Sequence, residues 1–381
     1  AMDSLIKSKI KSVIKGVFTT LGFSFVMVGL SGCGAQKPDE TAAADITSGP
    51  SMNANHKADL VIKVGYENSR GEPFDMGMKR WRDELAKETG GAIILELYPE
   101  DELGDEQALM ERMINGEKII STADAADLYS RGAYDIGICF GPYLFKSWDE
   151  AFHLTRSKWY QEQNKRLSEK QGLHIISSTW QFGLRHILST RPITRISELD
   201  GLRIRVDNNE IQNNTWKIYG AEPKELPPSM IMQAFRDKEL DAVDLPVTRM
   251  YGAGFHNAAK YLLMTGHVYT VTSIITGEEF WNSLTTEQRE ALTRTCIKAS
   301  SFYNVVREAN EYQALKNMQE QGVTVTYPGR EMVAALNLKA QSFYRLKEFR
   351  KWTPGLYYKV LESKSLPWTY YTKGGLIEPD K

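Results

Sequence analysis

The chain has 381 residues, 47 Lys plus Arg against 48 Asp plus Glu, and a formal net charge of −1. That balance excludes the basic stripe of a nucleic-acid-binding protein. With 25% charged and 10% aromatic residues the composition is that of a globular chain, and the length points to more than one domain.

In chain order, Lys7, Lys9, Lys11 and Lys15 come first, followed by an uncharged run from Val17 to Leu30. The run is short for a membrane span and reads as a secretory signal. It ends in Leu30-Ser31-Gly32-Cys33, which resembles the bacterial lipobox. The resemblance implies that residues 1–32 are a lipoprotein signal peptide and that Cys33 carries a diacylglycerol. Each buried acyl CH₂ contributes about 0.8 kcal/mol, so such an anchor is durable. The rest of the chain is then extracytoplasmic and held to a membrane surface, facing a periplasm or the cell exterior. Residues 33–57 are small and polar and read as a flexible tether. About 320 residues remain, a size that splits into two domains.

Those residues alternate between strand and helix patterns. Leu60 to Tyr66 and Ile93 to Tyr98 read as strands, with helices from Phe74 to Thr89 and from Asp105 to Gly116. The rhythm predicts a mostly parallel sheet in an α/β fold. Ala133 to Phe140 reads as a further strand, Trp148 to Lys170 as one helix and Leu173 to Trp180 as a strand. Strands follow at Arg185 to Thr190, Leu202 to Val206 and Ala242 to Leu245, with helices at Ile211 to Gly220 and Ser229 to Lys238. Lys260 to Leu263 and Tyr269 to Thr276 lead back toward the first unit. Thr285 and Gln288 stand at capping-box spacing before the longest helical pattern, which runs to Gln321. At 1.5 Å per residue it spans roughly 50 Å, enough to bridge two domains. Val323 to Thr326 is a strand and Arg330 to Phe349 a helix. The aromatics Trp352, Tyr357, Tyr358, Trp368, Tyr370 and Tyr371 read as staples for the tail. Cys139 and Cys296 read as two separate buried thiols rather than a disulfide.

The common catalytic and phosphate-binding motifs do not occur: no Gly-x-Ser-x-Gly, Walker A, His-Glu-x-x-His or Cys-x-x-Cys. The six histidines show no metal-ligand spacing. The expectation is therefore a binding protein rather than an enzyme, with no metal and no cofactor.

Three stretches carry a resemblance to a family. They are Leu97-Tyr98-Pro99 with Leu103-Gly104-Asp105-Glu106-Gln107; Gln181-Phe182-Gly183-Leu184-Arg185 with Leu199-Asp200-Gly201-Leu202-Arg203-Ile204-Arg205-Val206; and Gly220-Ala221-Glu222-Pro223 with Asp241-Ala242-Val243-Asp244. In order and spacing they resemble the solute-binding subunit of TRAP (tripartite ATP-independent periplasmic) transporters, from about Leu60 to Phe349. The resemblance implies a type II-like, two-lobed periplasmic-binding-protein fold whose lobes are bridged by strands and a long helix. It sets lobe I at 58–181 plus 271–311 and lobe II at 182–270 plus 312–372. It also implies a monomer that closes on a small organic acid and delivers it to an ion-gradient-driven TRAP permease. Two other roles stay open at this point: a surface-anchored enzyme acting on the same acids, and a sensory protein presenting its ligand to a receptor.

The resemblance places a ligand-carboxylate clamp at Arg205 and a supporting arginine at Arg185. A guanidinium suits the task, because its planar fork matches two oxygens and keeps its charge when buried. Alternation along Leu202 to Val206 puts Arg203 and Arg205 on the face opposite Leu202, Ile204 and Val206, with Arg203 expected in a surface ion pair. Glu67 and Asp124 fall at ligand-contact positions; beside a carboxylate they would repel it, so hydroxyls or an amine at the other end of the ligand suit them. That favours a sugar acid, such as a uronate, over a plain dicarboxylate. Where the family continues Gly-Gln-Glu-Asn-Pro, this chain has Leu245-Pro246-Val247-Thr248-Arg249, which puts Thr248 in the asparagine's place. Pro227-Pro228 stands where many members have a stacking aromatic, and Trp180 is the candidate for a hydrophobic wall instead.

Overall fold

A computed structural model describes residues 58–365. The signal segment, Cys33, the tether and Trp368, Tyr370 and Tyr371 lie outside the described residues. The strands are β1 (Leu60–Gly65), β2 (Ile93–Tyr98), β3 (Ile119–Ala123), β4 (Leu173–Ser189), β5 (Arg203–Val206), β6 (Glu222–Glu225), β7 (Ala242–Pro246), β8 (Tyr261–Gly277) and β9 (Thr324–Thr326). The helices that position the site are α1 (Pro73–Glu88), α2 (Glu106–Ile114), α3 (Ala125–Ser130), α4 (Glu210–Ile218), α5 (Val247–Gly252) and α6 (Thr286–Glu320).

The sheet runs β2-β1-β3-β8-β4-β7-β5-β6, with β9 beside β8. β1 is parallel to β2 and β3, and β5 is parallel to β6 and β7. Between these parallel groups lie β4 and β8, antiparallel to each other and 17 residues long apiece. One end of β8 pairs with β3, whereas the far end of β4 pairs with β7. The two strands therefore belong to both halves of the sheet. Their pairing is interrupted by register shifts, one of them between Gln181 and Gly183, and such irregularities bend a strand.

Each half has its own core. Ile62, Val64, Trp81, Leu85 and Leu95 pack together in the first, and Val243, Val247, Phe235 and Leu262 in the second. Helix α6 feeds both: Leu292, Cys296, Ala299 and Tyr303 join the first core, Ala314 and Met318 the second. It packs on α1 at one end and on α5 at the other. The capping box at Thr285 forms as expected, with Gln288 N donating to Thr285 Oγ1 at 3.2 Å and Thr285 N to Gln288 Oε1 at 2.9 Å.

Three expectations are corrected. Ala133 to Phe140 is no strand but a turn followed by a 3₁₀ helix, Ile136–Phe140. Gly137 lies so close to Tyr129 and Ile211 that an added Cβ would stand 2.5 Å and 2.8 Å from them; the apolar run fills a gap between packed side chains rather than joining a ladder. The helix expected from Trp148 to Lys170 is two, Trp148–Arg156 and Lys158–Gln171. Extended Ser157 separates them, and its Oγ accepts from Tyr160 N at 3.2 Å to cap the second. Leu173 to Trp180 and Arg185 to Thr190 are one strand, β4, because the bend at Gln181–Gly183 does not break pairing with β8.

Cys139 and Cys296 are both free thiols. The tail is stapled by Trp352, stacked on Phe349, and by Tyr357, stacked on Tyr344, while Thr353 donates twice to Asp135. Tyr358 is exposed. No helix among the described residues is long and apolar enough to cross a membrane.

Candidate functional site

Parallel strands end their ladders at the carboxyl edge, and ligands in open α/β sheets bind just beyond it. Both parallel groups place polar residues there. Glu67 follows β1, Asp124 follows β3, Arg205 and Asp207 stand at the end of β5, and Thr248 follows β7. These residues and Arg185 line one cleft of about 870 Å³.

The floor on the β5–β7 side is built from two buried guanidiniums. Arg205 is 3% exposed. Its Nε donates to the Leu226 carbonyl at 2.9 Å and its Nη2 to Asp207 Oδ1 at 2.5 Å. Burial pulls its proton affinity below the ordinary value and Asp207 opposes this, with repulsion from Arg185 on the side of burial. Arg185, also 3% exposed, donates through Nε to Asp244 Oδ1 at 2.8 Å and through Nη2 to the Asp244 carbonyl at 2.5 Å. The Phe140 ring lies 5.2 Å from its Cζ. Each guanidinium leaves Nη1 without a hydrogen-bond partner among the described residues. Two guanidiniums held in this way, each lining the cleft with Nη1 unpaired among the described residues, can pair with an anion there.

Asp244 is the anchor beneath Arg185. Trp216 Nε1 donates to its Oδ2 at 3.0 Å, and His267 Nε2 lies 3.2 Å from its Oδ1. Burial alone would raise this carboxyl; Arg185 and His267 overcome burial and hold it well below the usual carboxylate range. Gly183 makes the approach of β4 possible. Its φ is +152°, and a Cβ there would stand 2.7 Å from Pro246. Arg203, on the same strand as Arg205, makes the expected ion pair, with Asp241 at 2.7 Å.

The β1–β3 wall is acidic. Glu67, Glu106, Asp124 and Asp127 all line it. Asp124 caps α3: its Oδ1 accepts from Ala126 N at 2.7 Å and Asp127 N at 2.9 Å, while its own N–H donates to Asp127 at 2.8 Å. Glu106 opens α2 and accepts from Thr122 Oγ1 at 2.7 Å. Burial first, then the neighbouring Glu67, pushes Glu106 up to about 8. Burial and Asp124 also raise Asp127, and burial raises Asp124. Glu106, held protonated near neutral pH, can donate a hydrogen bond as well as accept one. Thr272 adds a side chain that is 7% exposed, lines the cleft and has no hydrogen-bond partner among the described residues.

Trp180 is not a wall of this cleft, contrary to expectation. It is fully buried behind Phe74 and Tyr303, at ring distances of 5.3 and 5.1 Å, and donates to Cys296 Sγ at 3.4 Å. The aromatic surface in the cleft comes from Phe74, Phe182, Tyr251, Phe255 and Tyr303. Phe182 lies within the bend in β4, so regular alternation, which would give it the same face as the buried Trp180, does not hold there. Glu106, Asp127 and Arg249 are further lining residues that the sequence reading missed. No group of three or more His, Cys, Asp or Glu among the described residues is arranged to hold a metal ion.

Residues 64–351 match the family of bacterial extracellular solute-binding proteins, family 7. A TRAP periplasmic solute-binding protein from Ochrobacterium anthropi, solved with bound L-fuconate, is 31% identical. It superposes with a TM-score of 0.73 over 81% of this chain and 100% of its own. One from Actinobacillus succinogenes 130z with bound L-galactonate is 28% identical, with a TM-score of 0.72 over 80% and 99%. The 2,3-diketo-L-gulonate-binding periplasmic protein YiaO of Escherichia coli K12 is 24% identical, across 69% of this chain and 80% of that protein.

Proposed function

From the premise that the chain belongs to the family of bacterial extracellular solute-binding proteins, family 7, we propose that it captures a hydroxylated sugar acid and hands it to a TRAP permease. The observation that carries this reading is the pair of buried arginines on the cleft floor, each with Nη1 free, opposite a wall of carboxyls. The ligand carboxylate binds Arg205 and Arg185. Its hydroxyls bind the β1–β3 wall, where carboxylates accept and protonated Glu106 donates. Thr248 and Thr272 bind polar groups between the two. The similar proteins with bound L-fuconate and L-galactonate support this choice of ligand class.

The lobes in this reading are 58–181 plus 271–311 and 182–270 plus 312–372, with β4, β8 and α6 as the bridge. Closure excludes water and so strengthens the arginine pairing. Cys33 carries the lipid that keeps the loaded protein near its permease. The test is a thermal-shift screen against L-fuconate, L-galactonate, 2,3-diketo-L-gulonate, uronates and C4-dicarboxylates. Ligand at a thousand times its Kd adds roughly 4 kcal/mol of stability. Sugar acids are expected to raise Tm and dicarboxylates to leave it unchanged; a response to dicarboxylates alone rejects the reading.

A further inference from the structure

We propose that Arg249 is a positioning residue for ligand capture, holding the cleft shut through Glu67 rather than by gripping the carboxylate. Glu67 follows β1 in one half of the sheet, and Arg249 lies in α5, after β7, in the other. Their side chains meet across the cleft that both line, with Arg249 Nη2 3.6 Å from Glu67 Oε1. Their exposures, 36% and 39%, set them at the rim, above arginines that are almost fully buried.

The placement decides what the pair does. An exposed ion pair within one rigid body adds little to stability, because it is screened and restrains two long side chains. A pair made only when two halves meet adds its whole contribution to the closed arrangement, so even a weak one moves the open–closed balance by about fivefold. Glu67 gains a second benefit. Its wall is crowded with carboxyls, and Glu106 feels its charge; the guanidinium supplies the compensating positive charge. A second bond crosses the molecule elsewhere, from Tyr129 Oη in α3 to Glu210 in α4 at 2.5 Å. It remains when Arg249 is changed, so the effect is a shift in balance rather than a collapse.

The test is hydrogen exchange on the ligand-free full chain, read at residues 122–127 and 228–232. These segments line the cleft and contain neither partner of the pair. Arg249→Glu is expected to speed their exchange by about fivefold, and the double change Glu67→Arg with Arg249→Glu to restore it. Raising NaCl from about 20 mM to about 1 M is expected to speed exchange in the native chain but not in Arg249→Gln. Unchanged exchange in Arg249→Glu, or a double variant no slower than the single one, overturns the proposal. A separate arm adds L-fuconate to the native chain; its failure to slow exchange counts against the sugar-acid reading and leaves the Arg249 result standing.

Discussion

On the β5–β7 side of the cleft each charge has a fixed counterpart: Arg185 has Asp244, Arg205 has Asp207, and Asp244 has Trp216 and His267 besides. On the β1–β3 side Glu67, Glu106, Asp124 and Asp127 crowd together, and Glu67 takes its ion-pair partner, Arg249, from the other half. The contrast separates two ways of preparing a polar surface. The first side is preorganised, with its charges locked before a ligand arrives, which suits a group of fixed charge and shape. The second crowds carboxyls whose proton affinities are raised by burial and by one another, which suits hydroxyls that both donate and accept.

The sharpest way to break this contrast is to remove the locked charge. Arg205→Ala is expected to weaken binding of the best sugar acid by at least about a hundredfold, since losing one partner of a buried charge pair costs about 3–5 kcal/mol. Calorimetry that finds the variant within about threefold of the native affinity removes the clamp. Next comes Asp124→Asn, which keeps an oxygen for the α3 cap and deletes the charge. If the wall serves hydroxyls, affinity falls by about three- to tenfold, the size of one hydrogen bond. A thousandfold loss would instead reveal an ammonium in the ligand.

The smallest expected effect concerns pH. Glu106 is raised from 4.5 to about 8 in the folded chain, so between those values the folded state keeps a proton that the unfolded state has released. Its contribution to stability is fully present below pH 4.5 and is lost as pH rises through about 8. Glu106→Gln is expected to flatten the decline of Tm over that interval; an unaltered slope means that the proton resides elsewhere on the wall. His186 gives the opposite sign. Burial first, then His267, lowers it from 6.5 to about 3, so stability is lost as pH falls across that range. His186→Asn is expected to make acid unfolding shallower, as measured by circular dichroism.

Much of this arrangement was legible in the residues. Alternation in Leu202 to Val206 separated the core face from the arginine face, and Arg203 and Arg205 then diverged because only Arg203 has Asp241 at the surface. Glu67, Asp124 and Thr248, placed by resemblance, line the cleft because each follows a strand at the same edge of the sheet. Glu106 and Asp127 were missed for a physical reason: acids in the first turn of a helix already have a role there, so nothing in the sequence separates a capping carboxyl from one that also faces a ligand. Trp180 was misplaced because the irregular pairing of β4 near Gln181 decides which side chains reach the cleft, and a bend of that kind leaves little trace in composition. The run from Ala133 to Phe140 misled because apolar alternation fits a strand and a packed 3₁₀ turn alike.

The double crossing of β4 and β8 has a consequence for how this molecule can be divided. The chain leaves the first half along β4, builds the second, and returns along β8, after which α6 traverses both again. No single cut therefore yields two complete pieces: a fragment ending before β8 lacks the strand between β3 and β4, and one beginning after β4 lacks Arg185 itself. Synthesis must reach Tyr303, within α6, before the first core is whole and Val323, just beyond it, before the second is, so both sides acquire their final packing late.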